Sequence, residues 1–141
     1  MWTRIKSFFA FYIQAISKYN VQSPFLYDFV TNVLDTEKEF YSFQPIEDQR
    51  KRLKSIKDVI KISDFGAGST SLSLVNRKIS DIANTSLSGV SKCRTLFNIV
   101  NHYHCLNILE LGSSLGISSA YLASANHHAR IITMEGDKNI A

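Results

Sequence analysis

The chain has 141 residues, which suits one domain of ordinary size, and 45% hydrophobic against 20% charged residues excludes a disordered polymer. A net charge of +4 is mildly basic and is not gathered in one block, so a nucleic-acid partner is not expected. No apolar run reaches the roughly 18 to 20 residues that a membrane span needs.

Trp2, Ile5, Phe9, Tyr12, Ile13 and Ile16 fall at helical spacing on one face and predict an amphipathic helix. Arg4 and Lys6 before Phe8 to Ile16 loosely imitate a signal peptide, but Ser17-Lys18-Tyr19-Asn20 provides no small-x-small cleavage site. A packed helix is the leading reading there, and a helix lying on a membrane surface is the other. Ser23 and Pro24 mark the start of a second helix, with Phe25, Phe29 and Val33 four residues apart. A third helix is predicted from Pro45 to Ile56, and its Arg50, Lys51, Arg52 and Lys54, with Lys57 just beyond, read as a solvated face. Val59 to Ser63 is short and β-branched, as in a strand.

The turn-rich stretch Asp64-Phe65-Gly66-Ala67-Gly68-Ser69 spells a kinase DFG, but no H-R-D loop precedes it. It reads as a structural turn, with a lid loop over a ligand as the alternative. Two helices follow, around Asn76 to Asn84 and Ser88 to Tyr103. Cys93 and Cys105 form no CxxC pair, which fits free thiols in a reducing cytoplasm. His102 and His104 lie two apart, on different faces of a helix, and His127 and His128 sit in a loop, so no metal site is expected.

From Ile108 the pattern changes. Ile108 to Leu111 is a short apolar strand, Gly112 to Gly116 a loop of mostly small residues, Ile117 to Asn126 a helix, and Ile131 to Met134 a second strand closed by Glu135, Gly136 and Asp137. Strand, loop, helix and strand make one βαβ unit, which implies a parallel sheet. The loop Gly112-Ser113-Ser114-Leu115-Gly116 leaves the carboxyl end of a strand, where open α/β sheets bind their ligands. Its glycines permit a sharp turn and a close approach, and the following helix turns its N–H groups toward the crevice. Ser118 can add a hydroxyl donor there, and Glu135 can accept hydrogen bonds from both hydroxyls of a ribose. The site suits a nucleoside-like ligand with an anionic tail.

A dinucleotide site expects G-x-G-x-x-G, whereas this chain has serine at 114. The spacing from Glu110 through Gly112 to Gly116 is E-x-G-x-x-x-G, which resembles motif I of class I S-adenosylmethionine-dependent methyltransferases. Ile108 to Ala123, with Ile131 to Gly136, looks most like the small-molecule O-methyltransferase branch that includes catechol O-methyltransferase. Ser23-Pro24-Phe25 running into Tyr27-Asp28-Phe29-Val30, and the later Asp64 to Ser69, resemble, more loosely, a bacterial group within the same enzymes. The resemblance implies that Glu135 holds the cofactor ribose and that Ser118 helps bind the methionine carboxylate. It implies that backbone near Gly112 and Ser113 lines the cofactor, with Glu110, Ser114, Gly116 and Gly136 completing the set.

The implied architecture is α/β. A mainly helical region, residues 1–106, is followed in 107–141 by the first βαβ unit of a Rossmann-like methyltransferase sheet. Such a sheet usually has seven strands, so the chain is expected to be truncated and inactive alone, with the substrate-binding half beyond Ala141. In the related enzymes the acids that hold a divalent metal also lie beyond this point, and no residue here is assigned as a catalytic base. A small-molecule acceptor, methylated on oxygen, is the expected substrate. Another nucleotide-binding protein and a non-catalytic binding or assembly module remain as alternatives.

Overall fold

In this computed structural model the described residues are 2–14, 20–63 and 74–141. They divide into two units, one ending at Asp35 and one running from Thr36 to Ala141. The turn-rich segment 64–69 lies outside the described residues.

The first unit begins with α1 (Trp2–Gln14), none of whose side chains is buried. The packed helix expected from its apolar stripe is therefore not what forms: Trp2 is 76% exposed and Phe9 58%. Helix α2 (Pro24–Asp28) starts as its sequence predicts. Ser23 Oγ accepts the Leu26 N–H, and proline occupies the first turn, where its missing N–H costs nothing. The helix continues without a break into one π-helical turn, Phe29–Val33, closed by Leu34 N–H donating to Phe29 O at 3.1 Å. Of the predicted stripe, Val33 is buried, Phe29 half-buried and Phe25 exposed.

The second unit is mixed α/β. Its elements are α3 (Phe43–Ser55), β1 (Val59–Ser63), β2 (Leu74–Lys78), α4 (Ile79–Thr85), α5 (Val90–His102), β3 (Asn107–Leu111), α6 (Ile117–Ala125) and β4 (Arg130–Met134). The core joins α3, α5 and α6 through Phe43, Cys93, Phe97, Ile117 and Tyr121, with Phe40, Ile46 and Leu53 packed against it. Phe43 makes an edge contact with Phe97 at 4.8 Å and a tilted one with Tyr121 at 5.1 Å. Burial of each such ring is worth roughly 1.5 to 3 kcal/mol.

Two expectations need correction here. Asn76 to Lys78 do not open a helix: they belong to β2, which runs antiparallel to β1 with Asn76 opposite Lys61, and the helix starts at Ile79. Residues 76–78 are exposed, so they carry no apolar alternation, and ladder pairing decides their conformation. Nor is the basic stretch of α3 wholly solvated. Lys51, Arg52 and Lys54 are exposed, but Arg50 is only 6% exposed.

β3 and β4 pair in parallel from Asn107↔Arg130 to Leu111↔Met134, with α6 as the connection. Side chains alternate between the two faces of a strand. Ile108, Glu110 and Ile131 are half-buried, and Glu110 is bonded to α6. Leu109, Leu111, Ile132 and Met134 point to the other face, which is open: Leu111 is 74% exposed.

Candidate functional site

The residues singled out by the sequence converge at the carboxyl ends of β3 and β4. Gly112 N–H donates to Met134 O at 2.8 Å, which extends the parallel ladder one rung beyond the strands. The chain then turns through three left-handed residues: Gly112 at φ +83°, Ser114 at φ +47° and Gly116 at φ +76°. Glycine adopts this region without strain, whereas a residue with a Cβ pays roughly 1 to 2 kcal/mol. A Cβ at Gly112 or Gly116 would meet nothing within 4 Å, so the space beside both glycines is open.

Ser114 is the strained member, and Glu135 holds it. The Ser114 N–H donates to Glu135 Oε2 at 2.7 Å, a charge-assisted bond that fixes the loop against the end of β4. Glu135 Oε1 accepts the N–H of Gly136 at 2.8 Å and of Asp137 at 3.2 Å. A carboxylate offers roughly four lone-pair positions, so about one remains for a ligand hydroxyl unless a protein bond yields. Ser114 Oγ is buried and has no hydrogen-bond partner among the described residues. The Ser113 carbonyl accepts the Gly116 N–H at 2.9 Å and closes the turn.

Glu110 and Ser118 are bonded to each other. The Ser118 hydroxyl donates to Glu110 Oε1 at 2.6 Å, and the Ser119 hydroxyl donates to Glu110 Oε2. Glu110 therefore faces the first turn of α6, whose dipole favours a negative charge there. It ties β3 to the helix, and the Ser118 hydroxyl proton is committed to it. Six of the eight predicted residues thus sit at the strand ends around the loop, while Glu110 and Ser118 form a brace behind it. Asp137 continues the turn: its Oδ1 accepts the Asn139 N–H at 2.7 Å, as an N-cap does.

A buried polar network escaped the sequence reading. Arg50 Nε donates to both Glu47 oxygens, at 2.9 and 3.0 Å, and one Arg50 Nη donates to Ser88 O at 2.6 Å. The other Nη lies 3.5 Å from Cys93 Sγ. The Tyr121 hydroxyl donates to Glu47 Oε1 at 2.9 Å, which anchors α6 to α3. The signal was present: Phe43, Ile46, Arg50 and Leu53 share the helical stripe that faces the core.

Burial pushes the Cys93 thiol above its ordinary range, which leaves it an unreactive core group. Burial, reinforced by the Glu47 carboxylate, pushes Tyr121 up to about 12. An unfolded tyrosine titrates near 10. The folded value is the higher, so the stabilisation is fully present below about pH 10 and is lost as pH climbs toward 12. The thermal midpoint is expected to fall over that interval more steeply in the unmodified chain than in Tyr121→Phe. Equal slopes would rule Tyr121 out as the cause.

A cavity of about 230 Å³ lined by Asn107, Ile108, Leu109, Arg130 and Ile132 lies toward the amino ends of the strands, away from the loop. Ligand pockets run from about 300 Å³ upward, so this hollow is not the cofactor candidate. Both cysteines are free, and among the described residues no three potential metal ligands gather. No family model, curated protein or solved structure matches the chain.

Proposed function

We propose that this chain carries the S-adenosylmethionine-binding part of a Rossmann-like class I methyltransferase that transfers a methyl group to an oxygen of a small molecule. One observation carries the reading. A left-handed glycine loop leaves the end of one parallel strand, and the acid that ends the neighbouring strand reaches across to it through the 2.7 Å bond from Ser114 to Glu135. That arrangement puts a carboxylate and a set of backbone groups side by side at the carboxyl ends of two parallel strands, where open α/β sheets bind their ligands.

The residues suit the cofactor in two further respects. The space beside Gly112 and Gly116 admits a ligand close to the backbone, and the buried Ser114 hydroxyl has an unmet hydrogen-bonding capacity. In this reading Glu135 holds the ribose, the 112–116 backbone positions the methionine portion, and Glu110 keeps α6 aimed at it. The bound cofactor supplies a methyl group activated on a sulfonium, and the acceptor is oriented by groups outside this loop.

A binding or assembly module is the second reading, favoured by the open apolar face of Leu109, Leu111, Ile132 and Met134. Calorimetry separates the two. The expected result is binding of S-adenosylhomocysteine without comparable binding of NAD or NADP. Equal affinity for a nicotinamide dinucleotide would overturn the methyltransferase reading, and no binding of any of the three ligands would leave the assembly reading in its place.

A further inference from the structure

The proposed cofactor site makes no use of α1, yet α1 carries a large exposed apolar surface. Trp2, Ile5, Phe8, Phe9, Tyr12 and Ile13 share one continuous arc at helical spacing, while Thr3, Ser7 and Gln14 lie opposite. All six large apolar side chains are exposed, Ile13 to 80%. An exposed apolar patch of this kind marks an interaction surface.

Charge identifies what the surface fits. Arg4 and Lys6 fall on the two margins of the apolar arc, one on each side. No acidic residue occurs before Asp28. Long cationic side chains at the margins of an apolar stripe can reach outward to anionic groups while their stems cover apolar surface. Aromatic rings such as Trp2 and Tyr12 settle where an apolar medium meets water. At 1.5 Å per residue the 13 residues of α1 span about 20 Å, short of the roughly 30 Å hydrocarbon core of a bilayer. No described helix is long and apolar enough to cross a membrane. We infer that α1 is an interfacial helix that lies on anionic lipid surfaces, its aromatic arc among the acyl chains and Arg4 and Lys6 at the headgroups.

Trp2 is the single tryptophan of the chain, so its fluorescence reports on α1 alone. The full chain is titrated with vesicles of phosphatidylcholine, and with vesicles that also contain phosphatidylglycerol. The expected result is a blue shift of Trp2 emission, with co-flotation, on the anionic vesicles, reversed by high salt. Arg4→Gln with Lys6→Gln should weaken this binding roughly twenty- to thirtyfold, because each cation near the surface contributes about a factor of five. Phe9→Glu, at the centre of the arc, should abolish it, whereas Phe11→Ser, outside the arc, should not. All four positions are exposed, so the thermal transition should be unchanged in each variant, which separates lost binding from lost folding. No shift on anionic vesicles would overturn the inference, and so would equal shifts on both vesicle types. A lipid-free blue shift that grows with protein concentration would assign the surface to a second copy instead. Blue emission already present in dilute lipid-free solution would mean that α1 packs on its own chain. Either result refutes the lipid assignment.

Discussion

Arg50→Ala is expected to destabilise the second unit by about 3 kcal/mol, the low end for removing one partner of a buried ion pair. The side chain is 7% exposed and its partner Glu47 18%, so the loss leaves a carboxylate poorly solvated and without its cation. It also leaves the Ser88 carbonyl with only the weak Cys93 thiol donor, at 3.5 Å. In a unit of roughly 100 residues this lowers the thermal midpoint by roughly 10 to 20 °C. Replacing both partners, Glu47→Gln with Arg50→Met, should recover part of the loss, because no unpaired charge remains. Calorimetric unfolding of the single and double variants checks this. A single variant within 1 kcal/mol of the unmodified chain would show that the pair is solvated in practice.

Glu135→Ala is the larger effect on binding. Removing charge-assisted hydrogen bonds worth roughly 1.5 to 3 kcal/mol should weaken S-adenosylhomocysteine binding about ten- to a hundredfold. Two routes contribute: the ribose loses its acceptor, and Ser114 loses the bond that holds it at φ +47°. Glu135→Gln distinguishes them, since its amide oxygen can accept one of these bonds but its NH2 cannot accept the other. The alanine variant should still unfold cooperatively, because Glu135 is half-buried at the edge of the unit. Unchanged affinity in a folded variant would remove Glu135 from the binding site.

The β3–α6–β4 unit was legible because each piece carries a local signal. Short apolar strands, glycines where the turn needs positive φ, and an apolar helix follow one another within residues 107–134. The closeness of the loop to Glu135 came with it, because the two end neighbouring strands. The bond between Ser118 and Glu110 was not legible, since both types can face a ligand or each other, and only the packing of α6 on β3 chooses. β2 was hidden for a related reason: its partner β1 is separated from it by residues 64–73 in the sequence, and pairing leaves little trace in the exposed polar residues Asn76, Arg77 and Lys78. Arg50 was misjudged by counting charge in sequence. Counting along the helix places it between Ile46 and Leu53, on the buried side.

The anchor between Glu47 and Tyr121 also bears on the order of folding. The Ser114–Glu135 bond joins residues 21 apart, whereas Tyr121 reaches Glu47 across 74. Contacts between distant residues carry the greater entropic cost of closing the intervening chain and slow the approach to the native state. The loop and its acid are thus expected to assemble early, as a local unit, and the link to α3 to close late. Interactions made after the rate-limiting step govern how long the native state survives. Damage at Arg50 or Tyr121 should therefore appear in the unfolding arm of a denaturant chevron, with the refolding arm nearly unmoved.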